Sequence, residues 1–553
     1  MSLEQPQRDE IERFLNPGYL DLDELLDALE KEVALSENLF RKPTLELRAC
    51  APEKRKLAIA ISGGGAAGAY SAGLLEVLHD RLKQRGINVG ILVGTSSGAV
   101  NGYGVFVQSV GMDNPQFDSD PAIKQPYESY IASVWSFLAR DSRASRWVVG
   151  RRSWIVRLAS QGLRSRWHKA GIMISLVVLA AALQLSLFLA LGLLAGSAGA
   201  RPSTWVDFGS LGEALPYVFA LALAGTLVLG TAVWFVARAF RSGIFQDLPL
   251  LNLLANTGPN GDMRADPRIP RGQTVDRARV LSRDLVSAWY AQCDEAPEFV
   301  VASTDITSGR GCLFTLVRPE TYDRLLRREW MAVQFDSDSG EARDYRSNAD
   351  ALFTLPQNLL QALAASSAVP GAFPTQRIGI YGRDTRRSAH HHFVDGGVLN
   401  SSPIHIAIDA GATHVISLEI LPFSESGPIQ DDKRGDEGYG LVEAALSAFS
   451  TVLKRATEED IRHTASWNRF LTQRPGSMRP GKGTVKRHRR VVPIYRVAPR
   501  DHLVGTIEFD GRFDDGEVPT TLRDLVRRGI LDMQGRNIWT ATTHYEPGWH
   551  EPG

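Results

Sequence analysis

The chain is poor in cysteine and has no excess of charge of either sign. Its 553 residues include 3 cysteines, and 62 basic residues balance 62 acidic ones. Because Cys50, Cys293 and Cys312 have neither metal-ligand nor disulfide spacing, they favour a reducing compartment. A formal net charge of zero gives no electrostatic reason to expect a nucleic-acid partner. The N-terminus is polar and acidic, which does not indicate a cleavable signal peptide.

Charge is missing altogether from two long stretches of the chain. Residues 170–200 form a run of 31 without a charged side chain, and residues 215–237 form another of 23. About 20 apolar residues are enough to cross the hydrocarbon core of a bilayer. Both runs are apolar on every face rather than on one stripe, which favours membrane spans over long buried helices. We predict a transmembrane hairpin over residues 167–241, with spans at about 171–194 and 215–237.

Basic residues accumulate at both ends of this hairpin and not in the loop between its spans. Arginine and lysine concentrate on the cytoplasmic side of membrane proteins. We therefore predict an integral membrane protein with two spans and with the rest of the chain on the cytoplasmic side, at a plasma membrane or a bacterial inner membrane. The flanking basic residues are Arg151, Arg152, Arg157, Arg164, Arg166 and Lys169 before the first span, and Arg238 and Arg241 after the second.

A serine between two glycines follows a short apolar run. Residues 89–93 (VGILV) predict a buried strand, and a helix can begin at Ala99. Residues 94–98 (GTSSG) lie between them and have the Gly-x-Ser-x-Gly pattern of a nucleophile elbow. Such a turn presents the serine hydroxyl at the top of a sheet, because its glycines permit close backbone packing. Ser96 is therefore the candidate nucleophile, although an ordinary glycine-rich turn has the same pattern.

A run of glycines follows the preceding predicted strand, residues 56–61 (KLAIAI). Residues 63–68 (GGGAAG) have the spacing of a dinucleotide-binding fingerprint, which requires an acidic residue at the end of the next strand. That strand runs into the GTSSG turn without one. We therefore interpret the glycine N–H groups, close to a helix N-terminus, as a cradle for an oxyanion.

A third glycine signature supplies a carboxylate. Residues 392–394 (HFV) lead into Asp395-Gly396-Gly397, which again indicates a strand that ends in a sharp turn. An aspartate can accept a serine proton directly when its environment tunes its pKa and the distance is short. The alternative is a structural turn, for which Asp-Gly is a favoured pair.

In this order, the three signatures resemble the patatin-like phospholipase family. A further similar block lies at residues 365–374 (ASSAVPGAFP), and the resemblance extends over about residues 56–415. It implies an α/β fold, a three-layer sandwich with a mostly parallel central sheet, here interrupted by the transmembrane hairpin. It also implies a membrane phospholipid or lysophospholipid substrate in the bilayer, hydrolysed without a metal or organic cofactor.

The resemblance assigns roles to individual residues. Ser96 becomes the nucleophile, Asp395 the proton acceptor, and the N–H groups of Gly63, Gly64 and Gly65 the oxyanion hole. The other motif positions are Gly68, Gly94, Gly98, Gly396 and Gly397. The chain departs from the family pattern in having Ala67 where Arg or Lys is frequent, and in the 299 positions between Ser96 and Asp395, more than a compact domain of this family needs.

These assignments divide the chain into five parts and carry no signal for a particular oligomeric state. The parts are an N-terminal helical segment (1–54), the first part of the patatin-like domain (55–166), the hairpin (167–241), the second part of the domain (242–420) and a C-terminal extension packing on it (421–553), with an amphipathic helix at 520–534.

Two other functions remain open at the level of sequence. One is an esterase with a Ser-His-Asp triad, in which His405, His414 or His463 would supply the base. In such enzymes the oxyanion glycines usually lie further upstream of the elbow than they do here. The other is a non-catalytic membrane scaffold that binds lipid or a partner, which only Ala67 favours.

Overall fold

The computed structural model describes a large part of one of the two units into which the chain divides. These units are Met1–Gly150 with Gln246–Gly553, and Arg151–Phe245. No described helix is long and apolar enough to cross a membrane, and the predicted spans at 171–194 and 215–237 lie outside the described residues. The described residues are 19–29, 56–111, 135, 271–337, 345, 350–370, 373–382, 388–399, 403–420, 459, 461–469, 492–499, 503, 512–513, 520–535 and 538–540.

A mixed sheet of twelve strands forms the centre of this unit, with the order β1-β14-β11-β10-β2-β3-β4-β5-β6-β7-β8-β9. A separate pair, β12 with β13, is antiparallel. The strands are β1 (Tyr19–Leu20), β2 (Leu57–Ile61), β3 (Val89–Thr95), β4 (Glu298–Asp305), β5 (Arg310–Leu316), β6 (Met331–Phe335), β7 (Leu352–Thr354), β8 (Gln376–Gly382), β9 (Ala389–Asp395), β10 (His414–Leu418), β11 (Ile494–Val497), β12 (Arg512–Phe513), β13 (Thr520–Thr521) and β14 (Ile538–Thr540).

Seven helices with defined bounds pack on or beside this sheet. Residues 22–29 and 461–469 are also helical. Short 3-10 turns lie at Gly65–Ala67, Pro356–Asn358 and Gly396–Val398. The helices are α1 (Gly68–Gln84), α2 (Ser97–Gly111), α3 (Arg271–Ala291), α4 (Pro319–Arg327), α5 (Leu359–Ser366), α6 (Pro403–Asp409) and α7 (Leu522–Gln534).

The middle of the sheet is parallel and covered on both faces. Strands β11, β10, β2, β3 and β4 run in the same direction. Every residue of β2 and β4 is buried, although successive side chains point to opposite faces. Both faces are therefore covered, as expected for a parallel sheet between helices. Each buried Val, Leu or Ile side chain stabilises the fold by roughly 1.5–3 kcal/mol.

The rest of the sheet corrects the prediction of a mostly parallel arrangement. Strand β4 pairs antiparallel with β5 and β9, β8 pairs antiparallel with β7 and β9, and β14 pairs antiparallel with β1 and β11. The turn between β4 and β5 shows why these two strands are antiparallel. It is only four residues long, and Gly309, with φ +69°, donates its N–H to the Asp305 carbonyl. A connection this short can join only antiparallel strands.

Candidate active site

Ser96 lies in a strained turn between strand β3 and helix α2. It has a φ of +55°, in the left-handed region that non-glycine residues rarely adopt. The glycines on either side allow the turn to close. A Cβ on Gly94 would lie 2.5 Å from Ala99 Cα, and one on Gly98 would lie 2.3 Å from the Ile61 carbonyl oxygen. The turn therefore has the geometry of a nucleophile elbow.

Strand β4 explains how two residues 299 positions apart meet. Strand β3 runs parallel along the first half of one edge of β4, where Thr95 pairs with Ala302. Strand β9 runs antiparallel along the second half of that edge, where its last residue, Asp395, pairs with Ser303. Because Ala302 and Ser303 are consecutive, the C-terminal ends of β3 and β9 meet. Ser96 and Asp395 are brought together at this junction.

The junction is tightly packed around Asp395. A Cβ on Gly396 would lie 2.3 Å from the Ala302 carbonyl oxygen, so only glycine fits there. The Ser303 hydroxyl donates to the Val394 carbonyl at 2.9 Å, which holds β9 against β4. One Asp395 oxygen, Oδ1, accepts the Gly397 N–H at 2.7 Å. The backbone and one carboxylate oxygen of Asp395 are thus fixed.

The second carboxylate oxygen of Asp395, Oδ2, is buried and could accept a proton. Among the described residues, no donor lies in hydrogen-bond geometry to Oδ2. Burial raises the pKa of Asp395 to about 6, while interactions with the Ser96 hydroxyl and the Gly397 N–H lower this pKa in part. The Ser96 hydroxyl is therefore near the carboxyl without completing a hydrogen bond to Oδ2. Catalytic hydrogen bonds are often incomplete until substrate binds.

The glycine loop packs directly against the elbow. A Cβ on Gly63 would lie 2.5 Å from Ser96 Cβ, so this position needs a glycine. Gly65 has a φ of +56° and opens the short turn that leads into α1. In the described part of the chain, no acceptor binds the N–H groups of Gly63 and Gly65. These two N–H groups could therefore donate to a bound group without breaking a described hydrogen bond.

The third glycine of the predicted oxyanion hole has another partner. The Gly64 N–H donates to Ser97 Oγ at 3.1 Å, which ties the loop to the first residue of α2. A Cβ on Gly64 would lie 1.7 Å from the end of the Ile420 side chain, so a larger residue there would require that side chain to move. Gly64 in this arrangement braces the loop against the elbow.

Two buried polar residues beside the site were not singled out in the sequence. Asn101 on α2 donates to the Gly68 carbonyl at 2.8 Å and to Ser71 Oγ at 2.9 Å, and it accepts the Trp135 indole N–H at 2.8 Å. These contacts fix the end of the glycine loop. Ser366, at the end of α5, contacts Ser96. A single asparagine or serine in an apolar helix matches no sequence motif, so the sequence gives no signal for Asn101. Ser366 has one signal, its position within residues 365–374, the block that resembles the family.

The three histidines that could complete a triad do not hydrogen-bond to Ser96 or Asp395. His405 and His463 lie beside each other, with 6.5 Å between their ring centroids. His414 opens strand β10, at the end of the parallel strands opposite to Ser96. Within the described ranges, no histidine forms a hydrogen bond to Ser96 or Asp395, and no group of three or more His, Cys, Asp or Glu is placed to hold a metal ion.

Comparison with known proteins identifies the family. The model of the patatin-like phospholipase family matches residues 59–172 and 239–408, more than half of the chain. The chain belongs to this family. Patatin-like phospholipases are lipid acyl hydrolases, and the match includes the elbow, the glycine loop and Asp395. It leaves out the 66 residues from 173 to 238.

Other comparisons add little to this family assignment. The crystal structure of VipD from Legionella pneumophila is similar over 89% of this chain and 68% of that one, with 12% identity and a TM-score of 0.23. A TM-score this low does not establish a shared fold. A search of curated proteins gives no match.

Proposed function

We propose that this patatin-like phospholipase is a membrane-anchored lipid acyl hydrolase of phospholipase A or lysophospholipase type, with a Ser96–Asp395 dyad. The observation that carries the proposal is the junction on β4. There, a serine in a strained elbow lies next to a buried aspartate whose pKa is raised to about 6. A carboxyl group with that pKa is largely ionised at neutral pH and is a stronger base than an exposed aspartate.

The geometry supports a two-step acyl transfer. Asp395 Oδ2 accepts the hydroxyl proton as Ser96 Oγ attacks the ester carbonyl and forms a tetrahedral intermediate. The N–H groups of Gly63 and Gly65 donate to the developing oxyanion, close to the N-terminus of α1. Collapse of the intermediate expels the alcohol, which takes the proton from Asp395. Water then cleaves the acyl-enzyme with the same groups, so the reaction needs no metal or organic cofactor.

The membrane part of the proposal depends on the two uncharged runs. The family match is interrupted at residues 173–238, which nearly coincide with the predicted hairpin. Basic residues flank both ends of this segment. A hairpin returns the chain to the side from which it entered, so both parts of the patatin-like domain would lie on the cytoplasmic side, next to the bilayer. The substrate would be a membrane phospholipid or lysophospholipid.

A lipid-panel assay tests this function. Purified full-length protein would be incubated with phospholipids, lysophospholipids and neutral glycerolipids, and released fatty acid measured. We expect fatty acid from a glycerophospholipid or lysophospholipid, and none with Ser96→Ala. His405→Ala, His414→Ala and His463→Ala should each retain activity, whereas a triad enzyme would lose several orders of magnitude with one of them. Hydrolysis by a folded Ser96→Ala protein would exclude the mechanism.

A further inference from the structure

The C-terminal end of helix α5 reaches both members of the proposed dyad. Ser366, the last residue of α5, is fully buried. Its Oγ accepts the backbone N–H of Ser96 at 2.9 Å and donates to the carbonyl of Ala302 at 2.6 Å. Two residues later, the carbonyl of Ala368 accepts the backbone N–H of Asp395 at 2.9 Å. The Ser366 side chain and the Ala368 carbonyl therefore bind the backbone of the proposed nucleophile and base, respectively.

The two hydrogen bonds of Ser366 define the direction of its hydroxyl. Because the proton points to the Ala302 carbonyl, a lone pair faces the Ser96 N–H. Ala302 is the residue of β4 that pairs with the end of β3. The hydroxyl thus links the elbow to the strand along which β3 and β9 meet. Removal of this hydroxyl would deprive two buried backbone groups, the Ser96 N–H and the Ala302 carbonyl, of this hydrogen-bond partner.

The elbow needs such a restraint because Ser96 has an unfavourable backbone conformation. A non-glycine residue in the left-handed region persists only when its surroundings hold it there. The φ of +55° aims the Ser96 side chain, so relaxation of this angle would move Oγ away from Asp395. Displacement of a reacting group by about 1 Å can reduce a rate about a hundredfold.

We propose that Ser366 is a positioning residue for the nucleophile, which holds Ser96 in its strained conformation and in register with Asp395. The inference rests on the proposed function, because it assumes that Ser96 is the attacking group. Ser366 hydrogen-bonds to the backbone of Ser96 and not to its hydroxyl. Its loss should therefore lower kcat and leave KM for the lipid nearly unchanged.

The test compares Ser366→Ala with Ser367→Ala in full-length protein. Ser367 adjoins Ser366, and its Oγ is buried without a hydrogen-bond partner among the described residues, so its removal is a matched control. We would measure kcat and KM for ester hydrolysis, the rate of covalent labelling by a fluorophosphonate, and the melting temperature. Ser366→Ala should lower kcat and the labelling rate by about 10- to 100-fold, and Ser367→Ala should change neither.

A second pair of variants separates the hydroxyl from folding. Ser366→Thr retains the hydroxyl, and Ser366→Val has the same shape without it, so the Thr variant should be faster than the Val variant. Wild-type kcat in folded Ser366→Ala, or equal rates for Thr and Val, would overturn the role of Ser366. Activity of Ser96→Ala would instead overturn the proposed function. Inactive Ser96→Ala together with fully active Ser366→Ala would reject the positioning role alone.

Discussion

At the scale of single residues, the Asp395 carboxylate is held in place by hydrogen bonding, but its burial makes the ionised form costly. One carboxylate oxygen is bound by the Gly397 N–H, and the other is buried without a donor in hydrogen-bond geometry from any described residue. A buried carboxylate is costly when its hydrogen bonds are incomplete. In the proposed mechanism, this unpaired oxygen accepts the proton from the Ser96 hydroxyl. The proposed reaction needs an ionised, unpaired carboxylate at this position, whereas the stability of the fold would favour a neutral or fully hydrogen-bonded group.

The raised pKa of Asp395 predicts the acid limb of the activity profile. Asp395 must be ionised to accept the serine proton, and burial raises its pKa to about 6. We expect kcat/KM for a soluble ester to rise tenfold per pH unit below about 6 and to level off above it. An uncharged ester substrate assayed from pH 4 to pH 8 provides the measurement. A profile already level at pH 5 would show that a carboxyl of ordinary pKa is the base.

The same pKa predicts that Asp395→Asn is inactive and more stable than the wild type at high pH. A carboxyl whose pKa is higher in the folded state than its ordinary 3.8 binds a proton more tightly when folded. Its contribution to stability therefore falls as pH rises from about 4 to about 6, by up to about 3 kcal/mol. The Asn side chain does not ionise, so the Asp395→Asn variant does not lose this stability as the pH rises.

The measurement is the melting temperature of both proteins at pH 4 and pH 8. The stability advantage of Asp395→Asn should be largest at pH 8 and should shrink at pH 4. Asp284→Asn, on the exposed side of α3, serves as the control and should change little at either pH. Equal stability of wild type and Asp395→Asn at pH 8 would contradict the penalty assigned to the buried carboxylate.

At the scale of elements, the sequence predicted which segments are strands and helices better than it predicted how they pair. The apolar runs at 56–61 and 89–93 and the amphipathic pattern at 520–534 correspond to β2, β3 and α7. A short apolar strand has the same pattern in a parallel and in an antiparallel pairing. The sequence therefore does not indicate the antiparallel pairs, such as β4 with β5 and β8 with β9, that make the sheet mixed.

The contact between α1 and α7 illustrates what tertiary structure adds. Gly73 and Gly529 face the backbone of the opposite helix. A Cβ on Gly73 would lie 2.1 Å from the Val526 carbonyl oxygen, and one on Gly529 would lie 2.2 Å from that of Tyr70. The Tyr70 hydroxyl also donates to Asp532 at 2.9 Å. Helix α7 thus packs closely on α1, the helix that follows the glycine loop. The positions of the glycines in either helix alone do not indicate which helix it packs against.

Gly529→Ala should destabilise this helix pair. Its added methyl group would collide with the Tyr70 carbonyl, so the helices must separate, at a cost of about 1–3 kcal/mol. Gly102→Ala on α2 is the matched control, because its nearest contact is Phe299 at 3.4 Å, an ordinary distance. Alanine also favours helix by about 1 kcal/mol over glycine. Denaturant unfolding should show a loss for Gly529→Ala and none for Gly102→Ala; equal effects would refute the close contact.

At the scale of the whole molecule, the proposed function combines a cytoplasmic-side hydrolase with a membrane tether. The sequence placed Ser96 and Asp395 in separate signatures, and the β4 edge supplies the physical reason why they meet. The tether is a proposal from the two uncharged runs at 170–200 and 215–237. It would raise the local concentration of lipid without taking part in the chemistry.

Replacement of residues 170–237 by a short polar linker tests this division of roles. The full-length protein should stay in the membrane after alkaline carbonate extraction, because a spanning helix is inserted almost irreversibly. The shortened protein should be released, hydrolyse dispersed short-chain esters at the wild-type rate and act poorly on bilayer lipid. Loss of activity on soluble esters in a folded, shortened protein would assign the two runs to the catalytic core instead.

Site-resolved covalent labelling tests whether Asp395 activates Ser96. Full-length protein would be treated with a fluorophosphonate, digested, and its modified peptide mapped by mass spectrometry. We expect one label, on Ser96, which is absent in Ser96→Ala and forms about a hundredfold or more slowly in folded Asp395→Asn. A label on another residue, or an unchanged labelling rate in Asp395→Asn, would contradict this activation.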